Sequence, residues 1–405
     1  MNDNFRFMCS ACKAVYPKGT YGCKKKDGIL QAIYWTEKVD SIGRIKKDNN
    51  PGIWKYEKML PGVDNKVSYY EGNTPLIPSR FYAHEMGIDL YFKDETRNPT
   101  GSFKDRAATV MLSMEKTSGN KAIVTASSGN AAGAIALYSM LAKIRCFIFM
   151  FKPTREKLVH AMSFGPTIFN VASEHEGEVL DLTKEAAGEF GWSILTTTAD
   201  ANPFTIEGYK TVAYELYEQM QLPDSIVVPV GSGTLLVGIW KGLRELKKLG
   251  LIDRVPRFIG VQARGNNPIV QAYRQGAEEV KPIKSSGTIA GGLSLENPGL
   301  TGKETLKAIR QTRGTMIDVS DDEIMKAVFQ LPRKEGIYAE PSGAVGVAAL
   351  AELLRDEIFS KREKVVCVIT GSGFKDITSI SQGKGKLIEI KPRLTEVKKH
   401  LKTTG

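Results

Sequence analysis

The chain has 405 residues, of which 42% are hydrophobic and 25% charged, and its formal net charge is +11. This is enough apolar material for a buried core in about two to three domains, while no apolar run approaches the roughly 20 residues that a membrane span needs. The five cysteines are too few and too unevenly spaced for a disulfide framework. The opening MNDNFRFMCS has no secretory signal pattern, so we expect a cytoplasmic protein.

Residues 1–55 differ in composition from the rest and are predicted to form an N-terminal accessory segment. Cys9 and Cys12 are spaced as half of a zinc knuckle, and Cys23 is a candidate third ligand. A structural zinc site needs four ligands, and neither a Cys nor a His is found nearby as the fourth. We therefore predict no metal and interpret the segment as a degenerate zinc-knuckle module.

From about residue 68 onward, short apolar runs alternate with helical patterns. The strand-like runs are LYFKD (90–94), AIVTA (122–126), CFIFMF (146–151), SIVVPV (225–230), RFIGVQA (257–263) and KVVCVIT (364–370). Helices are predicted between them, for example over 211–220 and 235–249 with Gly250 as the C-cap, and Ser320 with Glu323 forms a capping box. Strands separated by helices predict an α/β fold with mostly parallel sheets covered on both faces.

The segment NPTGSFKDR (98–106) places a single lysine, Lys104, after a turn-forming stretch and an aromatic residue. A lysine that forms a Schiff base must be held in one geometry and have a lowered pKa. Taken alone, the segment fits a surface lysine in the first turn of a helix better.

Three predicted strands run into loops rich in Gly and Ser. In AIVTASSGNAAGAIA (122–136) the strand leads to a helix start that suits a substrate carboxylate, or is simply a tight turn. In IVVPVGSGTLLVGIW (226–240) the loop suits a phosphate, although it has neither the Walker lysine nor the dinucleotide glycine spacing. In KVVCVITGSGFKD (364–376), Thr370 is either a hydrogen-bond partner for a ring nitrogen or part of an ordinary strand exit.

Together these four segments resemble the threonine synthase family, within the tryptophan-synthase-β-like (fold type II) enzymes that use pyridoxal phosphate. The segments YEGNTPL (70–76), NPFTIEGYKT (202–211), TIAGGLSLENP (288–298) and AEPSGA (339–344) follow the family order, and the resemblance covers roughly 68–378. It implies two three-layer α/β/α domains with pyridoxal 5′-phosphate between them. The large cofactor-binding domain would comprise 56–109 plus 209–380, the small mobile domain 110–208, and 381–405 a basic C-terminal tail.

The resemblance also implies roles for individual residues. Lys104 matches the lysine that forms the Schiff base, Phe103 the aromatic residue beside it, and Asn130 the asparagine that bonds the phenolic oxygen of the cofactor. Thr370 matches the residue that faces the pyridine nitrogen, where a hydroxyl leaves the ring a weaker electron sink than an Asp would. The cofactor-phosphate loop would be Gly231, Ser232, Gly233, Thr234 and Leu235, and the carboxylate loop Ser127, Ser128 and Gly129.

The substrate is less clearly implied than the chemistry. Threonine synthases that use O-phosphohomoserine often carry an Asn, a Ser and an Arg that hold the substrate phosphate, and here those positions are Ala199, Asp200 and Thr205. Lys157 and Lys210 match family lysines and are the remaining candidate cations, or are structural ion pairs or surface residues. With Thr205, we count them as substrate-binding candidates.

The first prediction is a carbon–oxygen lyase of amino-acid biosynthesis that makes threonine from O-phosphohomoserine and water. The second is a threonine or serine dehydratase, or a β-replacement enzyme acting on serine or O-phosphoserine, because the 340–344 segment resembles the dehydratase version. A third is a relative that binds ligand without turnover, which retention of Lys104 and Asn130 disfavours. A nicotinamide dehydrogenase would need a GxGxxG unit. We expect a small amino-acid substrate and a homodimer. We expect no membrane binding and, despite the basic tail, no nucleic-acid binding.

Overall fold

The computed structural model describes residues 4–34, 52–173, 176–381 and 389–401. Within the predicted regions, 1–3 and 35–51 of the N-terminal segment lie outside the described residues, as do 382–388 and 402–405 of the basic tail.

The described residues form thirteen strands in three sheets. The strands are β1 (Phe5–Cys9), β2 (Val15–Tyr16), β3 (Leu30–Tyr34), β4 (Leu76–Pro78), β5 (Asp89–Asp94), β6 (Ala122–Ala126), β7 (Arg145–Met150), β8 (Thr167–Asn170), β9 (Ser193–Ile194), β10 (Ser225–Pro229), β11 (Arg257–Ala263), β12 (Thr315–Val319) and β13 (Lys364–Ile369). The sheet orders are β2-β1-β3, β12-β11-β10-β13-β5-β4 and β8-β7-β6-β9.

Helices connect and cover these strands. The described α-helices are α1 (Tyr82–Met86), α2 (Lys104–Thr117), α3 (Asn130–Ala142), α4 (Arg155–Met162), α5 (Glu176–Phe190), α6 (Phe204–Tyr209), α7 (Thr211–Met220), α8 (Thr234–Lys248), α9 (Pro268–Arg274), α10 (Gly299–Gln311), α11 (Asp321–Glu335), α12 (Pro341–Arg355), α13 (Ile377–Ser381) and α14 (Leu394–Leu401). Short 3₁₀ segments lie at Gly52–Met59, Glu95–Arg97, Gly291–Leu293 and Gly373–Lys375.

The six-stranded sheet has an apolar layer on each face. In β13, Val366 and Val368 join one apolar cluster, whereas Val365, Cys367 and Ile369 join the other. Its strands pair in parallel except β4, which is antiparallel to β5 at the edge. The alternation explains why the strand sequences are continuously apolar, and the predicted α/β fold with mostly parallel sheets is confirmed.

The four-stranded sheet is built from residues 122–194 and is entirely parallel. Ile123 and Ile148 face the cluster that contains helix α3, and Val124 and Phe149 face a cluster that includes residues of α5. This sheet therefore also lies between two helical layers. Strands of the six-stranded sheet precede and follow it in the chain, since β5 ends at Asp94 and β10 begins at Ser225.

Several predicted boundaries differ by one residue. Helix α8 begins at Thr234 and has Leu249 as its C-cap, and Gly250 follows with φ of 71°. The capping box of Ser320 and Glu323 is present at the start of α11, as predicted.

The antiparallel N-terminal sheet packs on helix α6. The rings of Phe5 and Phe7 meet Phe204 edge-on, with centroids 6.1 and 5.3 Å away. Tyr34 Oη donates a hydrogen bond of 2.6 Å to Glu207 Oε2. The accessory segment is thus joined by both apolar and polar contacts to the body of the protein. Among the described helices, none is long and apolar enough to cross a membrane.

Candidate active site

The loop before Lys104 is fastened to the end of β13. Phe103 N donates to Thr370 O (3.1 Å), and Ser372 N donates to Gly101 O (2.8 Å). Gly101 has φ of 77°, a left-handed conformation that favours glycine. These bonds fix the start of helix α2, whose first residue is Lys104, so the lysine and Thr370 are held next to each other.

The Lys104 amine lies in a desolvated position. Nζ donates to Thr197 Oγ1 (3.2 Å) and lies 4.5 Å from the centroid of the Phe103 ring. Burial lowers the Lys104 pKa to about 8, against the opposing effect of the negative charge of Glu340. A larger fraction of the amine is therefore neutral near physiological pH, which suits a nucleophile and base.

A cavity of about 370 Å³ opens in front of Lys104. Most residues predicted for the site line it, namely Phe103, Lys104, Ser127, Ser128, Gly129, Asn130, Lys157, Gly231, Ser232, Gly233, Thr234, Leu235 and Thr370. It also includes residues that motif reading missed: Lys152, Thr154, Thr197, Thr198, Gly291, Gly292, Leu293, Ser294, Leu295, Glu340 and Ser342. The residues at 291–295 and 340–342 lie inside segments that carry the family resemblance. Those segments are the sequence signal by which they could have been predicted as site residues.

The loop 231–235 lies at the start of helix α8, where it could hold an anion. The first backbone N–H groups of a helix have no partner within the helix, and they point towards the N-terminal end. Gly233 has φ of 92°, and a Cβ there would lie 1.8 Å from Thr305 Oγ1. Only glycine allows the backbone to pass so close to Thr305, so the shape of the loop depends on it.

The loop 127–130 delivers a second helix start, that of α3. Ser128 Oγ donates to Phe151 O (2.6 Å) and accepts from Phe151 N (2.7 Å), which ties the end of β6 to the segment after β7. Asn130 Nδ2 donates to Glu340 Oε1, whereas Asn130 Oδ1 is buried and has no hydrogen-bond partner among the described residues. The amide therefore retains hydrogen-bonding capacity for a ligand.

A third helix start, that of α4, reaches the same cavity. Thr154 is its N-cap residue, and its side chain makes no capping hydrogen bond. The exposed Lys152 and the buried Lys157 lie on either side of it along the chain, and all three line the cavity. Three helix N-termini, each favourable for negative charge, thus converge on one space.

Lys157 lines the cavity and belongs to a buried group of charges. Its Nζ lies 3.2 Å from Asp376 Oδ2 and 3.9 Å from Glu340 Oε2. Burial raises the pKa of Glu340, while Lys157 and Lys375 counteract this rise. The charge of Lys157 is therefore partly balanced within the protein.

Two predicted substrate-binding residues do not reach the cavity. Thr205 is fully buried, and its Oγ1 donates to Thr196 O (3.3 Å). Lys210 is also fully buried, with Nζ 2.7 Å from Glu207 Oε2 and 3.2 Å from Glu245 Oε2. The structural ion pair, one of the two alternatives for Lys210, is what the structure shows. Thr205 packs against Met111 of helix α2, and Lys210 pairs with Glu245 of helix α8, so the prediction that these side chains touch substrate needs correction.

The site residues fit pyridoxal phosphate. The cofactor requires an amine of lowered pKa, an anion cradle for its phosphate and polar groups at the ring. Lys104 provides the first, the Gly233 turn the second, and Asn130, with its unpartnered Oδ1, and Thr370 the third. This combination fits one class of protein, an enzyme whose lysine would bind a phosphorylated aldehyde cofactor.

Comparison with known proteins agrees with this class. Residues 67–371 match the family described as "Pyridoxal-phosphate dependent enzyme". A relative named threonine synthase from Methanocaldococcus jannaschii is 36% identical over 384 residues, covering 93% of this chain and 94% of that one. One of the same name from Methanosarcina acetivorans is 35% identical over 379 residues, covering 92% of each. The chain belongs to the pyridoxal-phosphate-dependent enzymes of fold type II and, within them, to the threonine synthase family, with pyridoxal 5′-phosphate as cofactor.

Solved structures show the same architecture in other members of the class. Maize serine racemase superposes with a TM-score of 0.66 at 25% identity, covering 82% of this chain and 93% of that one. The L-serine ammonia-lyase of Rhizomucor miehei gives a TM-score of 0.68 at 20% identity, covering 78% and 98%. At this identity the second match supports the fold alone.

Proposed function

We propose that the protein is a threonine synthase that converts O-phosphohomoserine and water into threonine and phosphate, a carbon–oxygen lyase reaction. The convergence of three helix N-termini on one cavity carries this proposal. The cofactor phosphate, the substrate carboxylate and the substrate phosphate are three anions, and each would have its own helix start. A dehydratase acting on serine or threonine would need only two.

The 231–235 loop would hold the cofactor phosphate, and the 127–129 loop would hold the substrate carboxylate. The start of helix α4 would then bind the substrate phosphate. Lys152 would supply the main positive charge, and Lys157 would lie beside it. The family positions that hold this phosphate, here Ala199, Asp200 and Thr205, support a relocated site. Asp200 accepts a hydrogen bond from Thr301 Oγ1 (3.3 Å), and Ala199 is fully buried in an apolar cluster.

Pyridoxal phosphate, when bound, supplies an electron sink for charge that develops at the substrate carbon. Lys104 would remove the proton from the substrate Cα and hold it at Nζ, a role that its lowered pKa supports. Thr370 would place a hydroxyl at the ring nitrogen without protonating it. Asn130 would orient the ring through the phenolic oxygen.

The two sheets would move relative to each other during the reaction. Ser127–Asn130 and Lys157 belong to the segment 110–208, whereas the phosphate cradle and Thr370 follow strands of the six-stranded sheet. We propose that 110–208 is the small mobile domain and that 56–109 with 209–380 forms the large one. Closure would bring the α3 and α4 helix starts onto the substrate and limit the access of bulk water, apart from the one water molecule that reacts.

The test supplies the cofactor-loaded protein with O-phospho-L-homoserine and measures phosphate and threonine together. Equal amounts of both products are expected. If the protein instead leaves this compound untouched and forms ammonia and a 2-oxo acid from serine or threonine, it is a dehydratase and the proposal is wrong.

The proposed phosphate contact is tested with Lys152→Ala. Loss of one charge-assisted contact should raise KM for O-phosphohomoserine about 10-fold or more, because such a contact is worth roughly 1.5–3 kcal/mol. The exposed Lys121, next to β6 and outside the cavity lining, provides the control Lys121→Ala, for which KM should be unchanged. An unchanged KM in Lys152→Ala would remove this residue from the phosphate site.

We propose a cytoplasmic homodimer as the working state. All five cysteines are free, which agrees with a reducing compartment, and two-fold dimers are the commonest closed assemblies. Light scattering after gel filtration measures the assembly directly, and a monomer mass would contradict the proposal.

A further inference from the structure

The N-terminal segment brings four metal-ligating side chains together. Cys9, Cys12, Cys23 and Asp27 each offer one ligand atom, and these atoms all lie within 4.8 Å of one another. The three cysteines are candidate ligands by their spacing, and no further Cys or His lies nearby as the fourth. The carboxylate of Asp27 completes the set.

The distances fit a tetrahedral ion. With Zn–S of about 2.3 Å and Zn–O of about 2.0–2.2 Å, two sulfur ligands would be about 3.8 Å apart and a sulfur and an oxygen about 3.6 Å apart. Cys12 Sγ and Cys23 Sγ are 3.6 Å apart. Asp27 Oδ1 lies 3.2 Å from Cys9 Sγ and 3.1 Å from Cys23 Sγ. A shift of about 0.5 Å in the carboxylate would therefore suffice to complete the tetrahedron.

Two tight turns present these ligands. Lys13 N donates to Cys9 O (3.2 Å) around the first turn, and Lys26 N donates to Cys23 O (2.9 Å) around the second. Gly28 lets the chain after Asp27 approach the first turn, since a Cβ there would lie 2.8 Å from the backbone nitrogen of Ala11. The ligands are thus placed by hydrogen-bonded backbone.

The surroundings of the cluster resemble those of a closed structural site. Cys9 is fully buried and Cys23 nearly so, while Cys12 and Asp27 are partly buried, so the two buried sulfurs face the protein interior. Tyr16 Oη lies 3.2 Å from Cys23 Sγ and accepts a hydrogen bond from Lys24 N, so its own proton is available for the sulfur. A hydroxyl donating to a thiolate is a typical outer contact of a metal ligand.

We propose that Cys9, Cys12, Cys23 and Asp27 bind one structural zinc ion. The sulfur-rich tetrahedral set selects zinc among the common divalent ions. The mutual closeness of all four ligand atoms fits a single ion better than an iron–sulfur cluster, whose cysteines bind separate irons. The ion would fix the sheet that carries Phe5 and Phe7 against helix α6.

The experiment measures metal content in the full chain. Protein expressed with added zinc and purified in metal-free buffer should contain about one zinc per chain by mass spectrometry of the metal. Cobalt replacement should give the visible absorption of a tetrahedral thiolate site. All five cysteines should be alkylated once the protein is denatured without reductant and with a chelator.

Matched variants locate the ion. Cys12→Ala and Asp27→Ala should lose most of the zinc, whereas Cys146→Ala, which removes a buried cysteine far along the chain, should retain it. Asp27→Cys, which offers a fourth sulfur in place of the carboxylate, should also retain it. Should Cys12→Ala prove insoluble, the metal content and cobalt spectrum of the unsubstituted protein still decide the question.

Three results would overturn the proposal. The first is a zinc content well below one ion per chain in protein that was expressed with added zinc and in which all five thiols are reactive. The second is a disulfide between Cys12 and Cys23, seen as only three alkylatable thiols. The third is full zinc content in Asp27→Ala, which would take the carboxylate out of the site.

Discussion

Replacing Arg106 by methionine should destabilise the protein strongly, although it leaves the cavity lining unchanged. Arg106 is fully buried two residues after Lys104 and makes paired bonds to two carboxylates. Nε and Nη2 donate to Glu95 (2.7 and 2.8 Å), and Nη1 and Nη2 donate to Glu215 (2.7 and 2.8 Å). Lys93 Nζ also donates to Glu215 (2.7 Å). Two cations and two anions therefore form a buried group with no net charge.

The size of the effect follows from this balance. Without Arg106, Lys93 alone faces two buried carboxylates, and one negative charge is left uncompensated. Removing one partner of a buried ion pair costs about 3–5 kcal/mol, which corresponds to a melting temperature lowered by roughly 6–20 °C for a domain of 150–250 residues. Adding Glu95→Gln restores a neutral group, so the double variant should recover at least about 1 kcal/mol of the loss.

Urea denaturation followed by circular dichroism measures these free energies of unfolding. The control is Arg254→Met, because Arg254 pairs with Asp224 while about half exposed. It should change the free energy of unfolding by less than about 0.5 kcal/mol. A loss below about 1 kcal/mol in Arg106→Met, or no recovery in the double variant, would refute the argument from charge balance.

Three further predictions concern the cofactor site. In Gly233→Ala the new Cβ would lie 1.8 Å from Thr305 Oγ1. Titration with pyridoxal phosphate should therefore show an affinity weakened about 10-fold or more. The control Gly276→Ala has open space at its Cβ and should leave the affinity unchanged. The rate at which cofactor-free protein takes up pyridoxal phosphate should be half-maximal near pH 8, because the neutral amine of Lys104 reacts and its pKa is lowered to about 8; a midpoint near the ordinary 10.5 would contradict this. In Glu340→Gln the same midpoint should move to lower pH, because the negative charge of Glu340 raises the Lys104 pKa. A shift to higher pH would contradict this effect of Glu340 on Lys104.

The sequence predicted the fold well because the buried strands are apolar on both faces. The loops after those strands were also predictable as site elements, since parallel strands end at one edge of a sheet. The side-chain partners were not. Lys210 pairs with Glu207 three positions earlier, which is a local signal, but its second partner, Glu245, lies on another helix 35 positions along the chain and could not be predicted from the sequence. Asp27 was overlooked because carboxylates are common, and only the folded turns show that it meets the three cysteines.

The order of strands in the large sheet has a consequence for how the protein is made. Strand β13 lies between β5 and β10, and Lys364 pairs with Asp89. At about 5–20 residues per second a ribosome needs roughly 15–55 seconds to travel from one to the other. Throughout that time β5 lacks its neighbour β13, and the loop before Lys104 lacks the Thr370 carbonyl that accepts its hydrogen bond. The six-stranded sheet therefore cannot be completed until nearly the whole chain has been synthesised.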